Sequence, residues 1–456
     1  MPDMIFGRNP KDATSPGLLH IGYKDDDRVL IDASFPHVIY ISGSRGGGKS
    51  YTLGTIVEEL QRMKIGVGVV VVDPVGVFYS IKQPNHAPKE VEILKGHKLE
   101  PNGVEDATIL TPKGVFKPGA GVDAPFSIAV KDMTVDDWCN VFKLNRFATQ
   151  GLLIGETIEK MLGGYTVQFN GESIDIPPRS TFSISDMILC IEYDASITSR
   201  NEGYSTNTRR SVVARLKSAK GWGIFSLYGT PLSELSRPDH VTVIDVANPK
   251  IGDSRRSLIV GILARKILDA RIKATTGDNP EVDIPPTWMV VDEAHLLIPS
   301  GHKTAATVPL VEYVKLGRKP GCGLVFATQR PAATSDDVVS QVDMVIGHGL
   351  MLDDDVKAFI KRVPSDLSDE MKTASYFRTI KVGKGLMADQ KSGRSAIEIT
   401  IRPRYSHHGG AAPSLTTPGS QPRSPTTDNQ PNHRSFRFEE DLFSKYVKRV
   451  SEIGGD

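Results

Sequence analysis

The sequence predicts an α/β protein: a mostly parallel sheet with helices on its faces, interrupted by a mainly helical insertion. Three observations carry this. The apolar runs HVIYIS (37–42), VGVVVV (67–72), VTVIDV (241–246), TWMVV (287–291) and GLVFAT (323–328) are short and nearly continuous, as in strands covered on both faces. The first two enclose TLGTIVEELQRM (52–63), which has helical spacing, so the order is strand, loop, helix, strand. Between residues 106 and 224 the pattern turns to helical periodicity with one hairpin.

Taken in order, residues 1–35 are polar and turn-rich and read as a short N-terminal segment. The sheet core is expected over 36–105 and 225–404, with the insertion at 106–224 between its halves. In the insertion, Thr134 and Asp137 have the spacing of a helix N-cap and its returning acid. Leu153, Ile154, Ile158, Met161 and Leu162 fall on a helical period. TVQF and ESIDI flank Asn170-Gly171, the dipeptide of a tight hairpin turn. TRRSVVARLKSA (208–219) reads as a basic amphipathic helix. After VTVIDV come a long helix near 254–273 and, beyond GLVFAT, the strand in DMVIGHGL (343–350). Residues 405–435 are rich in Pro, Ser, Thr and Gly and read as a disordered linker. Periodicity returns in 436–456, where Leu442, Phe443, Tyr446, Val450 and Ile453 predict a tethered amphipathic helix.

Bulk properties exclude several classes. The chain has 456 residues, 39% hydrophobic and 24% charged, which is ordinary globular composition. Its 55 basic and 54 acidic residues leave a formal charge of +1, so any nucleic-acid surface must be local. Cys139, Cys190 and Cys322 are odd in number and widely spaced, implying neither a disulfide frame nor a zinc site. The N-terminus carries no signal-peptide pattern, and the most apolar run, 65–72, is too short to span a bilayer. The expectation is a cytoplasmic protein without membrane insertion.

Gly43-Ser44-Arg45-Gly46-Gly47-Gly48-Lys49-Ser50 fits G-x-x-x-x-G-K-[ST], between a strand and a helix. Side-chain-poor backbone lets N–H groups wrap a phosphate. Residues 43–51, from Gly43 through Tyr51, are the expected ATP-binding stretch: Lys49 supplies charge to the β- and γ-phosphates, Ser50 a hydroxyl for Mg²⁺, and the following helix turns its positive end toward the anion. A second motif ends the strand TWMVV: Asp292-Glu293-Ala294-His295. Asp292 stands at the carboxyl end of an apolar strand, where open α/β sheets hold ligands, and is assigned to Mg²⁺. Glu293 is the candidate that polarises an attacking water. The bland alternative is a strand ending in a solvated acidic turn. An adjacent aspartate and glutamate typify ATPases with an extra strand between the loop strand and the acidic strand; VTVIDV or GLVFAT supplies it. Gln329, after GLVFAT, is then a sensor of the γ-phosphate or attacking water, or simply part of a capped strand end.

The stretches WMVVDEAHLLIPSGHK (288–303) and GRKPGCGLVFATQRP (317–331), with SGSRGGGKS (42–50), VVDPVG (71–76) and VIDVANPK (243–250), resemble the HerA branch of the HerA/FtsK ATPases. The resemblance covers about residues 36–404. It implies a RecA-like P-loop NTPase core, a ring of six copies, and ATP-driven translocation of double-stranded DNA with a nuclease or other effector. It also implies an arginine reaching a neighbour's nucleotide, which falls on Arg318; a planar, permanently charged fork suits phosphate oxygens. Two departures stand out. HerA proteins carry a β-barrel before the loop, and the 42 residues preceding Gly43 leave no room for a full one. A histidine and an acid of the family's strand-end motif are Val75 and Val77 here. Two other functions fit the same motifs: a scaffold or switch for a phage-defence effector, and a secretion-coupling ATPase. For DNA contact, the helix with Arg209, Arg210, Arg215 and Lys217 is one candidate, against a merely solvated face.

Overall fold

The structure, a computed structural model, describes residues 3–9, 11, 15–169, 172–277 and 283–410. Two compact units divide the described chain, one formed by residues up to Phe126 and from Thr230 onward, the other by Ser127–Gly229.

The first unit is built on one 13-stranded sheet. Its strands before the second unit are β1 (Met4–Phe6), β2 (Leu18–Lys24), β3 (Asp27–Asp32), β4 (Val38–Ser42), β5 (Gly68–Asp73), β6 (Ala107–Pro112) and β7 (Ala124–Phe126). The second unit holds the short pair β8 (Ile128–Ala129) and β11 (Phe225–Ser226) and the hairpin β9 (Tyr165–Phe169) and β10 (Glu172–Ile176). The sheet resumes with β12 (His240–Asp245), β13 (Thr287–Val291), β14 (Cys322–Thr328), β15 (Met344–Gly347), β16 (Lys384–Asp389) and β17 (Ile397–Ile401). Their order is β1-β3-β2-β17-β16-β15-β4-β14-β13-β5-β12-β6-β7. From β15 to β7 all neighbours run parallel; from β15 back to β2 and β3 they alternate in direction. The helices are α1 (Lys49–Arg62), α2 (Pro88–Gly96), α3 (Val135–Phe142), α4 (Thr149–Gly163), α5 (Ile184–Tyr193), α6 (Thr206–Lys220), α7 (Leu232–Leu235), α8 (Asp253–Thr276) and α9 (Thr307–Leu316), followed by shorter ones at 336–339, 353–360 and 374–379.

The parallel half follows from composition. Every residue of β5, β13 and β14 is buried, and their Val, Met and Phe side chains pack with Leu53, Ile56 and Leu60 of α1 or on the opposite face. The extra strand between the loop strand and the acidic strand is β14, GLVFAT; VTVIDV, as β12, lies beyond β5. In the second unit α3 starts in a capping box of Thr134 and Asp137, and α5 in another of Ser183 and Asp186. Trp138, Leu153, Ile154, Met161, Ile191 and Leu216 form its buried centre.

Three expected boundaries move. Residues 18–32 are not a turn-rich leader: β2 and β3 pair around Asp25-Asp26, with Asp25 at φ 54°, and extend the sheet next to β17. The short polar interruption between Lys24 and Asp27 is a two-residue hairpin loop. The insertion begins at 127 rather than 106, because β6 pairs with β12, and β7 with β6. The linker does not begin at 405, since Tyr405 and Ser406 are buried. The expected turn at Asn170-Gly171 and the tail helix over 436–456 lie outside the described residues. Among the described residues no helix is long and apolar enough to cross a membrane.

Candidate nucleotide site

β4 delivers the chain to the loop 43–48 at the carboxyl edge of the sheet. The loop is pinned from both neighbouring strands. Gly43 N donates to Thr328 O at 3.3 Å, and Ser44 N to Gly349 O at 2.7 Å. Glycine is required at 43, where a Cβ would stand 2.7 Å from the Cβ of His348, and at 48, which has φ 107°. Gly48 is the N-cap of α1 and offers no side chain, so the first-turn N–H groups stay open toward the loop. Lys49 is buried, and its Nζ donates to Ser44 O at 3.0 Å, folded back over the loop; burial lowers its pKa, opposed by the charges of Glu293 and Asp292. Arg45 is exposed.

On the β13 side, Ser50 Oγ donates to Asp292 Oδ2 at 2.6 Å, and Glu293 N donates to Asp292 Oδ1 at 2.8 Å. Burial, and then the charge of Glu293, push the Asp292 carboxyl up to about 6. The two readings of Glu293 part here. A solvated acidic turn would expose it, but it is only 6% exposed, with its backbone at φ 50°. Its Oε1 accepts a hydrogen bond from Gln329 Nε2, at the end of β14. Its Oε2 is buried, has no hydrogen-bond partner among the described residues, and faces His295 Nδ1 at 3.4 Å. Burial lowers the pKa of His295, and its Nδ1 also lies 3.1 Å from Thr328 Oγ1. A buried carboxylate oxygen with an open lone pair, held by an amide, can accept a proton or orient a water.

On the opposite side stands a residue that the motifs do not mark. His348, directly after β15, is wholly buried. Its Nδ1 donates to Lys384 O at 2.7 Å, which leaves Nε2 to accept from Thr52 Oγ1 at 2.9 Å. Burial drops its pKa to about 4, so it is a neutral prop between α1 and the loop. The available signal was a histidine closing the apolar run DMVIGHGL beside the loop strand. Asp73, ending β5, is also buried and accepts from Val75, Gly76 and Phe78 N–H groups; burial raises it to about 7. It turns the chain where Val75 and Val77 follow, the former 48% exposed and the latter buried.

Tyr51 does not face the loop. Its hydroxyl donates to Glu90 Oε2 at 2.8 Å and accepts from Arg404 N at 2.7 Å. This begins a strap over the outer face of α1. Glu58 accepts from Arg404 Nε at 2.9 Å, from the N–H groups of Tyr405 and Ser406 at 3.0 Å each, and from Ser406 Oγ. Glu59 accepts from Arg402 Nη2 at 2.9 Å. Both arginines are 0% exposed. The helix that opens with Lys49 and Ser50 is therefore clamped by the sheet on one side and by residues 402–406 on the other.

Arg318 is not brought to this site. It precedes the amino end of β14, is exposed, and makes no ion pair or side-chain hydrogen bond among the described residues. The loop lies at the carboxyl end of the same sheet, so the length of β14, roughly 20 Å at ~3.3 Å per residue, separates the two ends. The structure brings together the loop, Asp292, Glu293 and Gln329.

A glycine-rich loop after β4 and an adjacent aspartate and glutamate after β13, with β14 between the two strands, define a P-loop NTPase with a RecA-like core. Comparison with known proteins names its family. The family model "Helicase HerA, central domain" matches residues 19–267, and "Helicase HerA-like C-terminal" matches 275–412. The chain belongs to the HerA helicase family. A probable helicase of Methanocaldococcus jannaschii is 23% identical over 395 residues, covering 82% of this chain and 69% of that one. The probable DNA double-strand break repair helicase HerA of the same organism is 23% identical over 378 residues, 78% and 71% of the two chains. The structure of VirB4 of Thermoanaerobacter pseudethanolicus shares the fold at TM-score 0.51 and 15% identity, over 88% of this chain and 98% of that one.

Proposed function

We propose that this protein is an ATP-hydrolysing motor that moves double-stranded DNA, works as a ring of six copies, and serves a nuclease or other effector. The observation that carries the hydrolytic part is Glu293, beside the Ser50–Asp292 pair: Gln329 holds its Oε1, and its buried Oε2 has no hydrogen-bond partner among the described residues.

In this reading the N–H groups of 46–50 and Lys49 hold the phosphates of ATP. Ser50 and Asp292 would hold Mg²⁺, the latter through water; the hydroxyl–carboxylate pair and the raised Asp292 pKa are the donor set a hard cation relieves. When bound, Mg²⁺ supplies charge neutralisation between the β- and γ-phosphates. Glu293 Oε2 accepts a hydrogen bond from the attacking water, and Gln329 keeps the carboxylate oriented while lying in reach of the γ-phosphate. His295, half-buried and with its pKa lowered by that burial, adds no competing charge.

Arg318 belongs to the neighbour's site. Its place at the amino end of β14 supports action between subunits, since no side chain spans the length of that strand. The oligomer, the duplex substrate and the effector rest on family membership, and the chain spans 69%, 63% and 71% of three curated relatives. The test is ATP turnover with and without duplex DNA, with the mass of the assembly measured in ATP. Stimulation by duplex separates a DNA motor from a secretion-coupling ATPase. Unchanged turnover at every duplex concentration overturns the motor reading.

A further inference from the structure

Charge is not spread evenly over the second unit. Residues 127–229 contain eleven Lys and Arg and eleven Asp and Glu, yet α6 carries Arg209, Arg210, Arg215, Lys217 and Lys220 and no acid. Thr206, Arg209, Arg210, Val213, Ala214 and Lys217 recur at spacings of three and four, so they share one helix face. With Glu192 of α5 they line an open groove of about 460 Å³. Glu192 is the groove's single acid and stands 3.6 Å from Lys217. Among the described residues Arg209 bonds locally, to Tyr204 O at 3.3 Å and Thr206 Oγ1 at 3.5 Å. Arg210 is exposed and makes no ion pair among the described residues. Two arginines of the groove lining thus make no ion pair among the described residues, and the one carboxylate of that lining stands by Lys217.

We infer that this face of α6 is a binding site for the phosphate backbone of duplex DNA, contacted by Arg209 and Arg210 and extended by Lys217. The assignment rests on the motor reading above and names where its substrate is held. Arg210 and Lys217 are about 10 Å apart along the axis, two turns of helix. Duplex DNA carries a charge every ~1.7 Å, so that span faces several phosphates. The apolar part of the groove lining is Val213 and Ala214, and none of its described lining residues is an aromatic on which unstacked bases could sit. That favours a sequence-independent backbone contact over single-strand binding.

The experiment measures duplex binding by fluorescence anisotropy over a salt series for the full chain and for the double variant Arg209→Gln/Arg210→Gln. Each phosphate contact contributes about 0.9 to the slope of log K against log salt. The double variant should lose about 1.8 of slope, and about 60-fold in affinity at 0.1 M salt relative to the 1 M extrapolation, for any duplex sequence. Arg209→Lys/Arg210→Lys should keep most of the slope, and DNA-free ATP turnover should be unchanged in both. A parent that binds duplex while the Gln variant binds with the same slope overturns the assignment and leaves the motor standing. A parent that binds no duplex at any salt concentration brings down the motor reading and this assignment together.

Discussion

Gly54 lies in the middle of α1, where exchanging glycine for alanine ordinarily stabilises a helix by about 1 kcal/mol. Here the sign should reverse. A Cβ at 54 would lie 2.3 Å from Arg404 Nη1, 2.4 Å from Cζ and 2.8 Å from Nε. A guanidinium usually swings away cheaply, but this one is 0% exposed and bonded to Glu58 at 2.9 Å and Ser406 at 2.6 Å. If it stays, overpacking costs about 1–3 kcal/mol. If it is expelled, Glu58 remains buried with a broken pair, at about 3–5 kcal/mol. Set against the helix gain, Gly54→Ala should lose about 2 kcal/mol, a fall of roughly 4 °C in thermal midpoint for a large domain. The control is the same exchange in an Arg404→Ala background. With the guanidinium gone, Gly54→Ala should raise stability by about 1 kcal/mol, a coupling of about 3 kcal/mol between the two positions. A Gly54→Ala protein at least as stable as the parent, or a coupling near zero, would refute the clamp.

Three further outcomes are expected. Lys49→Ala should abolish tight ATP binding, whereas Glu293→Gln should bind ATP and lose turnover by orders of magnitude; comparable turnover in the latter would remove Glu293 from the chemistry. Arg318→Ala should bind nucleotide but hydrolyse it poorly, and mixing it with Glu293→Gln protein should restore part of the activity; no recovery in mixed rings counts against action between subunits. Asp292 has a folded pKa of about 6 against an ordinary 3.8, so its ionisation costs apo stability as pH rises from about 4 to 6 and a bound cation recovers that cost. Mg²⁺-dependent tightening of nucleotide should therefore fade as pH drops through about 6, about tenfold per unit below it, and a flat titration from pH 7 to 5 would contradict the assignment.

Much of the site was legible because its requirements are local. A loop that wraps a phosphate needs glycine at fixed offsets, and a strand covered on both faces needs an unbroken apolar run. Both are written in windows of fewer than ten residues, which is why the loop, β4, β5, β13 and β14 and the capping box at Thr134 can be read directly. The choice between VTVIDV and GLVFAT as the inserted strand was different. Both are apolar runs of the same length, and only the pairing of β14 with β4 and β13 separates them.

The outer face of α1 was misleading for the same reason. Glu58, Glu59 and Gln61 are the polar side of an amphipathic pattern, and periodicity alone places them in water. They are buried because a segment 348 residues away lays Ser406 on Glu58, and the two arginines beside it satisfy charges that no neighbouring turn could reach. Likewise His348 supports the loop only because β15 pairs with β4, and Arg318 lies away from the loop because the length of β14 separates the two ends of the sheet. The sequence by itself determined the phosphate-loop motif and the strands that flank it, since steric and solvation demands act residue by residue. The tertiary structure alone decided which distant groups cover, prop or miss that site, because burial of a polar group depends on its partner in space and not on its place in the chain.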